Sequence, residues 1–77
     1  MRKETFQLRP EDEYIELIKL LKLLQIAQSG GHAKMIVEDG LVKVNGNQEF
    51  RKRNKLRGGD IIEVEGVEIT ISQQAKK

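Results

Sequence analysis

The sequence predicts an α+β fold in which two short N-terminal helices pack on a small, mostly antiparallel β-sheet. Two patterns predict it. In the first third of the chain, an apolar run is interrupted by polar residues at a spacing of three, as in a helix. In the second half, short segments that alternate polar and apolar residues are separated by Gly-containing turns. At 77 residues the chain has the length of one domain, which we expect to span residues 1–77. We expect its core motif at residues 14–65 and a flexible tail at residues 73–77.

The first elements are a short strand and a helix. Residues 5–8 alternate polar and apolar side chains, as a half-buried strand does, and Pro10 suits the first position of a helix. The acidic residues 11–13 would stabilise that helix, because negative charge near a helix N-terminus interacts favourably with the helix dipole. Residues 14–24 are apolar except for Glu16, Lys19 and Lys22. An apolar surface this wide predicts either a helix enclosed by other elements or a spare face that binds a partner.

A second helix is predicted after Ser29, whose hydroxyl can cap the exposed amides of the first turn. Ala33, Ile36 and Val37 share one face of it, and Gly40 suits the residue just past its end. The Gly-Gly pair that follows Ser29 lacks the Lys-Ser or Lys-Thr of a nucleotide-binding loop, so we infer no nucleotide site.

The second half of the chain predicts three strands joined by turns. Residues 41–44 form the first, and Asn45-Gly46 is the strongest short signal for a tight hairpin. Residues 58–60 predict a further turn, which leads into strands at residues 61–64 and 67–71 separated by Glu65-Gly66.

Positive charge is concentrated in residues 51–57, the basic segment. Five of its seven residues are Lys or Arg and none is acidic, whereas the rest of the chain has nine basic against 12 acidic residues. An extended backbone would place Arg51, Arg53 and Lys55 on one face, with Lys52 and Asn54 on the other. Such a face is typical of polyanion binding, because cations that neutralise phosphates release condensed counterions. A solvated loop is the alternative that charge alone leaves open.

Composition argues against several other classes of function. The chain has no Cys, and His32 is its only His, so we expect neither a disulfide framework nor a metal cluster. No nucleophile is spaced with a base and an orienting acid, so we expect no enzyme and no cofactor. No signal peptide or apolar span appears in the sequence, which predicts a cytoplasmic, monomeric protein without membrane contact.

The order of these pieces resembles a known family. The resemblance is carried by residues along most of the chain, namely Leu20-Leu21-Lys22, Ser29, Ala33-Lys34, Ile36, Gly40, Val42 to Gly46, Arg51, Arg53, Lys55 and Gly59-Asp60. This ordered set resembles the RNA-binding domain named after small-subunit ribosomal protein four, also called the αL RNA-binding motif. Together with Phe6-Gln7-Leu8 and Ser29-Gly30-Gly31, it is most similar to the small stand-alone YbcJ-like branch.

The resemblance implies a non-catalytic module that binds structured RNA, with ribosomal or transfer RNA as the expected partner. Carried over by position, the RNA-binding residues would be Lys34, Lys43, Arg51, Arg53 and Lys55, with Lys52, His32 and Lys22 at the edge. Larger family members often have Arg where this chain has Glu16 and Gly30, so RNA docking is expected to depend more on Lys34, Lys43 and the basic segment.

Recognition by shape is the expected mechanism. The deep, narrow major groove of A-form RNA excludes side chains, so a compact surface reads phosphates and backbone geometry. We expect Phe6 and Tyr14 in or beside the core, which leaves Phe50 as the single candidate for base stacking.

Three alternatives remain at this point. The apolar face of the first helix would serve a ribosome- or replication-associated protein-interaction module. A β-grasp regulatory domain also suits residues 59–64, although residues 1–9 are too short for the hairpin that precedes its helix. DNA binding is equally compatible with phosphate contacts.

Overall fold

The computed structural model describes residues 2–73, which form two helices and two β-sheets. In chain order the elements are β1 (Arg2–Leu8), β2 (Ile15–Glu16), α1 (Leu17–Leu23), α2 (Gly30–Glu38), β3 (Val42–Val44), β4 (Asn47–Gln48), β5 (Lys55–Leu56), β6 (Ile61–Val64) and β7 (Val67–Gln73). The α+β class is confirmed, but a seven-residue strand precedes both helices. Of the predicted tail, residues 74–77 lie outside the described residues, while Gln73 is the last residue of β7.

The larger sheet has the strand order β1-β7-β6-β3-β4. Its strands pair antiparallel, apart from β1 and β7, which run parallel from Arg2 opposite Val67 to Leu8 opposite Gln73. The mostly antiparallel sheet is therefore confirmed, with one parallel pair that the sequence pattern did not predict. A separate two-stranded sheet pairs β2 with β5 antiparallel.

One side of the larger sheet, the inner side, packs against the helices. Val42, Ile62 and Ile69 are fully buried there, in one cluster with Leu20 and Val37 from the two helices. Burial of aliphatic side chains is the main favourable contribution to such a fold, at about 1.5–3 kcal/mol for each large side chain. The opposite, outer side of the sheet presents Lys3, Lys43 and Glu63, together with the partly exposed Ile61.

Helix α1 begins at Leu17, so the predicted start at Pro10 is wrong. Residues 9–14 instead form a loop, in which Arg9 and Asp12 make a 3.0 Å ion pair, and β2 then pairs with β5. Hydrogen bonds to a distant strand have replaced the helical start that Pro10 and the acidic residues favour locally. The core encloses most of the apolar surface of α1, but Leu23 remains 54% exposed. Within the described residues, neither helix has the length and hydropathy to span a membrane.

The predicted boundaries of α2 are confirmed. The Ser29 hydroxyl accepts a hydrogen bond from the His32 amide at 3.1 Å, and the helix ends before Gly40, whose φ is +74°. The Gly40 and Leu41 amides then donate to the Val37 and Ile36 carbonyls, at 3.0 and 3.2 Å. This pattern satisfies carbonyls that a helix end otherwise leaves without partners.

Candidate nucleic-acid interface

The basic segment begins with a turn and continues as a strand. The Asn54 amide donates to the Arg51 carbonyl at 3.1 Å, and residues 52 and 53 form the corner of that turn. The predicted extended backbone from residue 51 to residue 55 is therefore wrong over residues 52–53. Only Lys55 and Leu56 are paired as a strand, and Leu56 is the one residue of the segment that is fully buried.

The backbone of the basic segment caps the first helix. The Leu17 amide donates to the Asn54 carbonyl at 3.0 Å, and the Ile18 amide donates to the Lys52 carbonyl at 3.1 Å. Glu16, at the cap position, makes no side-chain cap hydrogen bond. Because the first amides of a helix have no partners within it, these two carbonyls supply what a capping side chain usually supplies.

The far end of the segment is held by Asp60. Its carboxylate accepts the Arg57 amide at 2.8 Å and the Asn45 side-chain amide at 3.1 Å. The Asn45 side chain in turn accepts the Ile61 amide at 2.9 Å. The Val-Asn-Gly and Gly-Asp pieces are thus joined directly by hydrogen bonds, and together they fix where the basic segment ends.

Three of the predicted RNA-binding residues meet at one place. Arg51, Arg53 and Lys55 line a shallow depression of about 360 Å³ together with Asn54. All three cations are exposed, and Lys52 is half-buried. The turn therefore brings together the same three side chains that a regular strand would have aligned.

Glu49 neutralises one of these cations. Its carboxylate accepts hydrogen bonds from the Arg51 Nε at 2.7 Å and from the Arg51 backbone amide at 3.2 Å. The side-chain hydrogen bond holds the pKa of Glu49 below its ordinary value and raises the pKa of Arg51. The guanidinium is 78% exposed, so it is fixed in direction but open to another anion. Glu49 is a functional residue that the charge pattern did not predict, although a Glu two residues before an Arg is the signal that the sequence offers.

Lys55 and Arg57 flank the ring of Tyr14, with the Lys55 Nζ 5.0 Å and the Arg57 Cζ 5.7 Å from its centroid. Tyr14 is 38% exposed, so its predicted place in or beside the core is wrong. Glu16, where larger relatives have Arg, lies directly opposite Lys55 in the β2–β5 pair. An acidic residue at this position faces a cation across the strands, where an Arg would face a like charge.

Lys43 lies on the outer side of the sheet, because it alternates with the buried Val42. It belongs to a row of residues that are cross-strand neighbours over all five strands, in the order Gln48, Lys43, Glu63, Glu68 and Lys3. Neighbours in such a row have Cβ atoms roughly 5 Å apart, so Glu63 offsets the charge of Lys43.

The remaining predicted residues lie on the helices. Lys34 is exposed on α2 and Lys22 is exposed in the last turn of α1. His32 is half-buried, and its Nδ1 accepts the Gln28 amide at 3.1 Å, so this ring nitrogen is occupied within the helix start. The structure thus groups Arg51, Arg53 and Lys55 closely, and places Lys34, Lys22 and Lys43 on other elements. Among the residues that the structure describes, no group of three or more His, Cys, Asp or Glu is placed to hold a metal ion.

A second concave region lies on the other side of Tyr14. It is a groove of about 820 Å³ between β1, the loop at residues 9–14 and α1. Phe6, Tyr14 and Leu23 supply apolar surface, and its other lining residues include the acidic side chains Glu11, Asp12, Glu13 and Glu16. The groove and the depression at the basic segment therefore differ in the sign of their charge.

Comparisons with known proteins show which chains this one is similar to. Two relatives are similar in sequence: "Probable ribosome maturation protein RlbA" of Bacillus subtilis (strain 168), 41% identical over 73% of this chain and 79% of that protein, and "Putative RNA-binding protein YbcJ" of Escherichia coli (strain K12), 38% identical over 75% and 83%.

Two solved structures are similar in fold. The solution structure of YbcJ from E. coli, described as revealing an αL motif involved in RNA-binding, has a TM-score of 0.67 and 37% identity, covering 88% of this chain and 85% of that one. The crystal structure of the 30S ribosomal protein S4e from Thermoplasma acidophilum has a TM-score of 0.63 and 27% identity, covering 75% of this chain and 31% of that one.

The family model described as the S4 domain matches residues 7–72, which include both helices, the basic segment and the Gly-Asp turn. The resemblance that the ordered motifs indicate is thereby confirmed, and the chain belongs to the S4 domain family.

Proposed function

We propose that this chain is a non-catalytic module that docks on structured RNA, such as ribosomal or transfer RNA, through Arg51, Arg53 and Lys55. The observation that supports it most is that these three cations line one depression on a segment whose backbone is fixed at both ends. The relatives named for RNA binding and for ribosome maturation point to the same class of partner.

Phosphate contacts would supply most of the affinity. Arg51 and Arg53 present planar guanidinium groups that bind two phosphate oxygens at once, whereas Lys55 acts as a point charge. Lys34, Lys43, Lys52, Lys22 and His32 would contribute at the periphery, with Lys43 weakened by its neighbour Glu63. Binding should depend strongly on salt and only weakly on sequence.

The test is a titration of a structured RNA hairpin at several salt concentrations. The double variant Arg53→Gln, Lys55→Gln should lower the affinity and flatten the plot of log K against log salt by roughly 1.4–1.8 units, since each lost phosphate contact removes about 0.7–0.9. The matched control is Arg2→Gln, Lys3→Gln, which removes the same charge from β1, an edge strand of the larger sheet that contains neither residue 53 nor residue 55. If both variants lose the same amount of RNA affinity, net charge alone explains the loss, and the proposed surface is refuted.

Competition by duplex DNA of equal length tests the choice of nucleic acid. Phosphate contacts alone are shared by both polymers, but the 2′-hydroxyl and the A-form shape belong to RNA. We expect RNA to be preferred. A preference for DNA would replace this proposal with a DNA-binding one.

A second candidate function, protein interaction, is favoured by the acidic groove beside α1. Leu23 and Tyr14 are exposed at its lining, and its four carboxylates outnumber the cations Arg9 and Lys19. Glu13 and Glu16, which are not paired with Arg9, would suit a Lys- or Arg-containing segment of a ribosome-associated protein. A pull-down that survives nuclease treatment and is lost in Leu23→Ser would support this function. Leu41→Ser, at an equally exposed Leu on another element, is the control.

A further inference from the structure

Phe50 is an exposed aromatic ring at the start of the basic segment. It is 56% exposed and directly precedes Arg51. The other two aromatic residues of the chain are engaged elsewhere, because Phe6 packs against the core and Tyr14 lies beside Lys55 and Arg57. The ring of Phe50 is thus the aromatic surface that neither the core nor a cation occupies.

The ring has a fixed seat. The backbone before it is anchored by the Glu49 amide, which donates to the Val42 carbonyl at 2.9 Å. The Phe50 ring lies against Gly40, with its Cε1 only 3.1 Å from the point that a Cβ at residue 40 would occupy. The Gln48 side chain, beside the same glycine, donates to the Gly40 carbonyl at 2.7 Å. The absence of a side chain at residue 40 therefore creates the space in which the ring lies.

The basic segment begins directly after this ring. The guanidinium of Arg51 is directed by Glu49, the following turn carries Arg53, and Lys55 begins β5. A nucleotide combines a flat apolar base with an anionic phosphate, so it fits an aromatic ring next to cations better than an apolar protein segment does.

We propose that Phe50 is a stacking site for one unpaired base, so that the RNA recognised is a double-helical segment with a bulged, looped or terminal unpaired nucleotide. This inference rests on the proposed RNA-binding function and specifies its substrate class. With a single platform the site takes one base, whereas proteins that bind single strands stack successive bases on several aromatic side chains.

The experiment compares a blunt RNA duplex with the same duplex carrying one bulged nucleotide, by fluorescence anisotropy at fixed salt. The native protein should prefer the bulged RNA by about fivefold or more, the lower end of what one stacked base contributes. Phe50→Leu, which keeps an apolar side chain without a π-face, should lose the preference and retain its affinity for the blunt duplex. Leu41→Ala is the control, because Leu41 is 52% exposed and lies next to Gly40.

Phe50→Trp supplies a direct readout. The chain has no Trp, so this variant contains a single indole, whose emission should fall when the bulged RNA binds and change little with the blunt duplex. A bulge made of an abasic nucleotide, with the same backbone and no base, should give neither the preference nor the loss of emission.

The outcomes separate the two proposals. Equal affinity for both RNAs, or an unchanged preference in Phe50→Leu, would refute the stacking site and leave the RNA-binding function standing. No binding of either RNA by the native protein would refute both. If Phe50→Leu leaves both RNA affinities unchanged and lowers only the amount of a protein partner recovered in the pull-down, the ring is a protein contact and the stacking site is excluded.

Discussion

Replacing Glu49 by Gln should strengthen RNA binding, because Glu49 competes with phosphate for Arg51. The carboxylate lies 2.7 Å from the Arg51 Nε and also accepts the Arg51 amide. A glutamine has the same size and retains an oxygen for that amide, but it has no charge to hold the guanidinium or to repel a phosphate. The variant therefore frees the guanidinium of Arg51 to bind phosphate without adding a Lys or Arg to the chain.

The size of the effect follows from counterion release. In the native protein Glu49 and Arg51 have no net charge together, so the substitution adds about one neutralised phosphate and steepens the plot of log K against log salt by about 0.7–0.9. If the counterion contribution vanishes near 1 M salt, this predicts an increase in affinity of about five- to eightfold at 0.1 M and only about three- to fourfold at 0.2 M.

The assay is the same RNA titration at three or more salt concentrations. Glu4→Gln is a matched control, because Glu4 also pairs with an Arg two residues away, at 3.3 Å, but on β1. Strands β1 and β4 are opposite edges of the sheet, roughly 19 Å apart over four strand spacings. If Glu4→Gln and Glu49→Gln raise the affinity equally, or if Glu49→Gln leaves the slope unchanged, Arg51 does not bind phosphate in the way argued.

Further predictions concern stability, pH and the family position at residue 30. Gly40→Ala should lower the free energy of unfolding by more than about 1 kcal/mol in urea denaturation, since φ is +74° and a Cβ would collide with neighbouring side chains, whereas Gly30→Ala meets open space and should be neutral or stabilising. Tyr14→Leu should cost about 1–2 kcal/mol by removing two cation–π contacts, and Tyr14→Phe should cost much less; equal losses would contradict this. The hydrogen bond from Arg51 lowers the pKa of Glu49 below 4.5. The stabilisation from this pair is therefore complete above pH 4.5 and is lost as the pH falls through the lowered pKa. In urea denaturation, the free energy of unfolding should decline less over this acid range for Glu49→Gln than for the native protein. Gly30→Arg, which restores the cation of larger relatives in open space, should raise RNA affinity by about five- to eightfold at 0.1 M salt, and an unchanged affinity would show that this chain docks differently.

The elements that the sequence predicts well are those fixed by local chemistry. Ser29 at the start of α2 and Gly40 at its end act within one helical turn, so the residues themselves reveal the boundaries. The same holds for the hairpin at Asn45-Gly46, whose two residues both have positive φ, at 53° and 84°. Turn and cap signals need no knowledge of distant partners.

The wrong helix start at Pro10 and the unpredicted parallel pairing of β1 share a cause, which is pairing between residues far apart in sequence. Pro10 and the acidic residues after it signal a helix start, but pairing of Ile15 with Leu56 makes that stretch a loop and a strand. Nothing local to β1 indicates that β7 is its parallel partner, 65 residues away at Arg2 and Val67. At the candidate site, Arg51, Arg53 and Lys55 line one depression because of a turn and not because of strand alternation, and Asn54, expected on the other face, lines it with them.

The way in which the basic segment is held explains how a strongly charged stretch remains ordered while its cations stay exposed. Its order comes from backbone groups, because the carbonyls of Lys52 and Asn54 bond to the start of α1 and the amide of Arg57 bonds to Asp60. Only Leu56 is anchored by a fully buried side chain. The cationic side chains add only exposed contacts, those of Lys55 and Arg57 with Tyr14 and of Arg51 with Glu49, and a backbone fixed in advance lowers the entropy cost of binding an RNA. It follows that substitution of Arg53 should change binding with little effect on stability, and that substitution of Lys55 should in addition lose its contact with Tyr14. Leu56→Ala, at about 2–5 kcal/mol, should weaken both binding and folding.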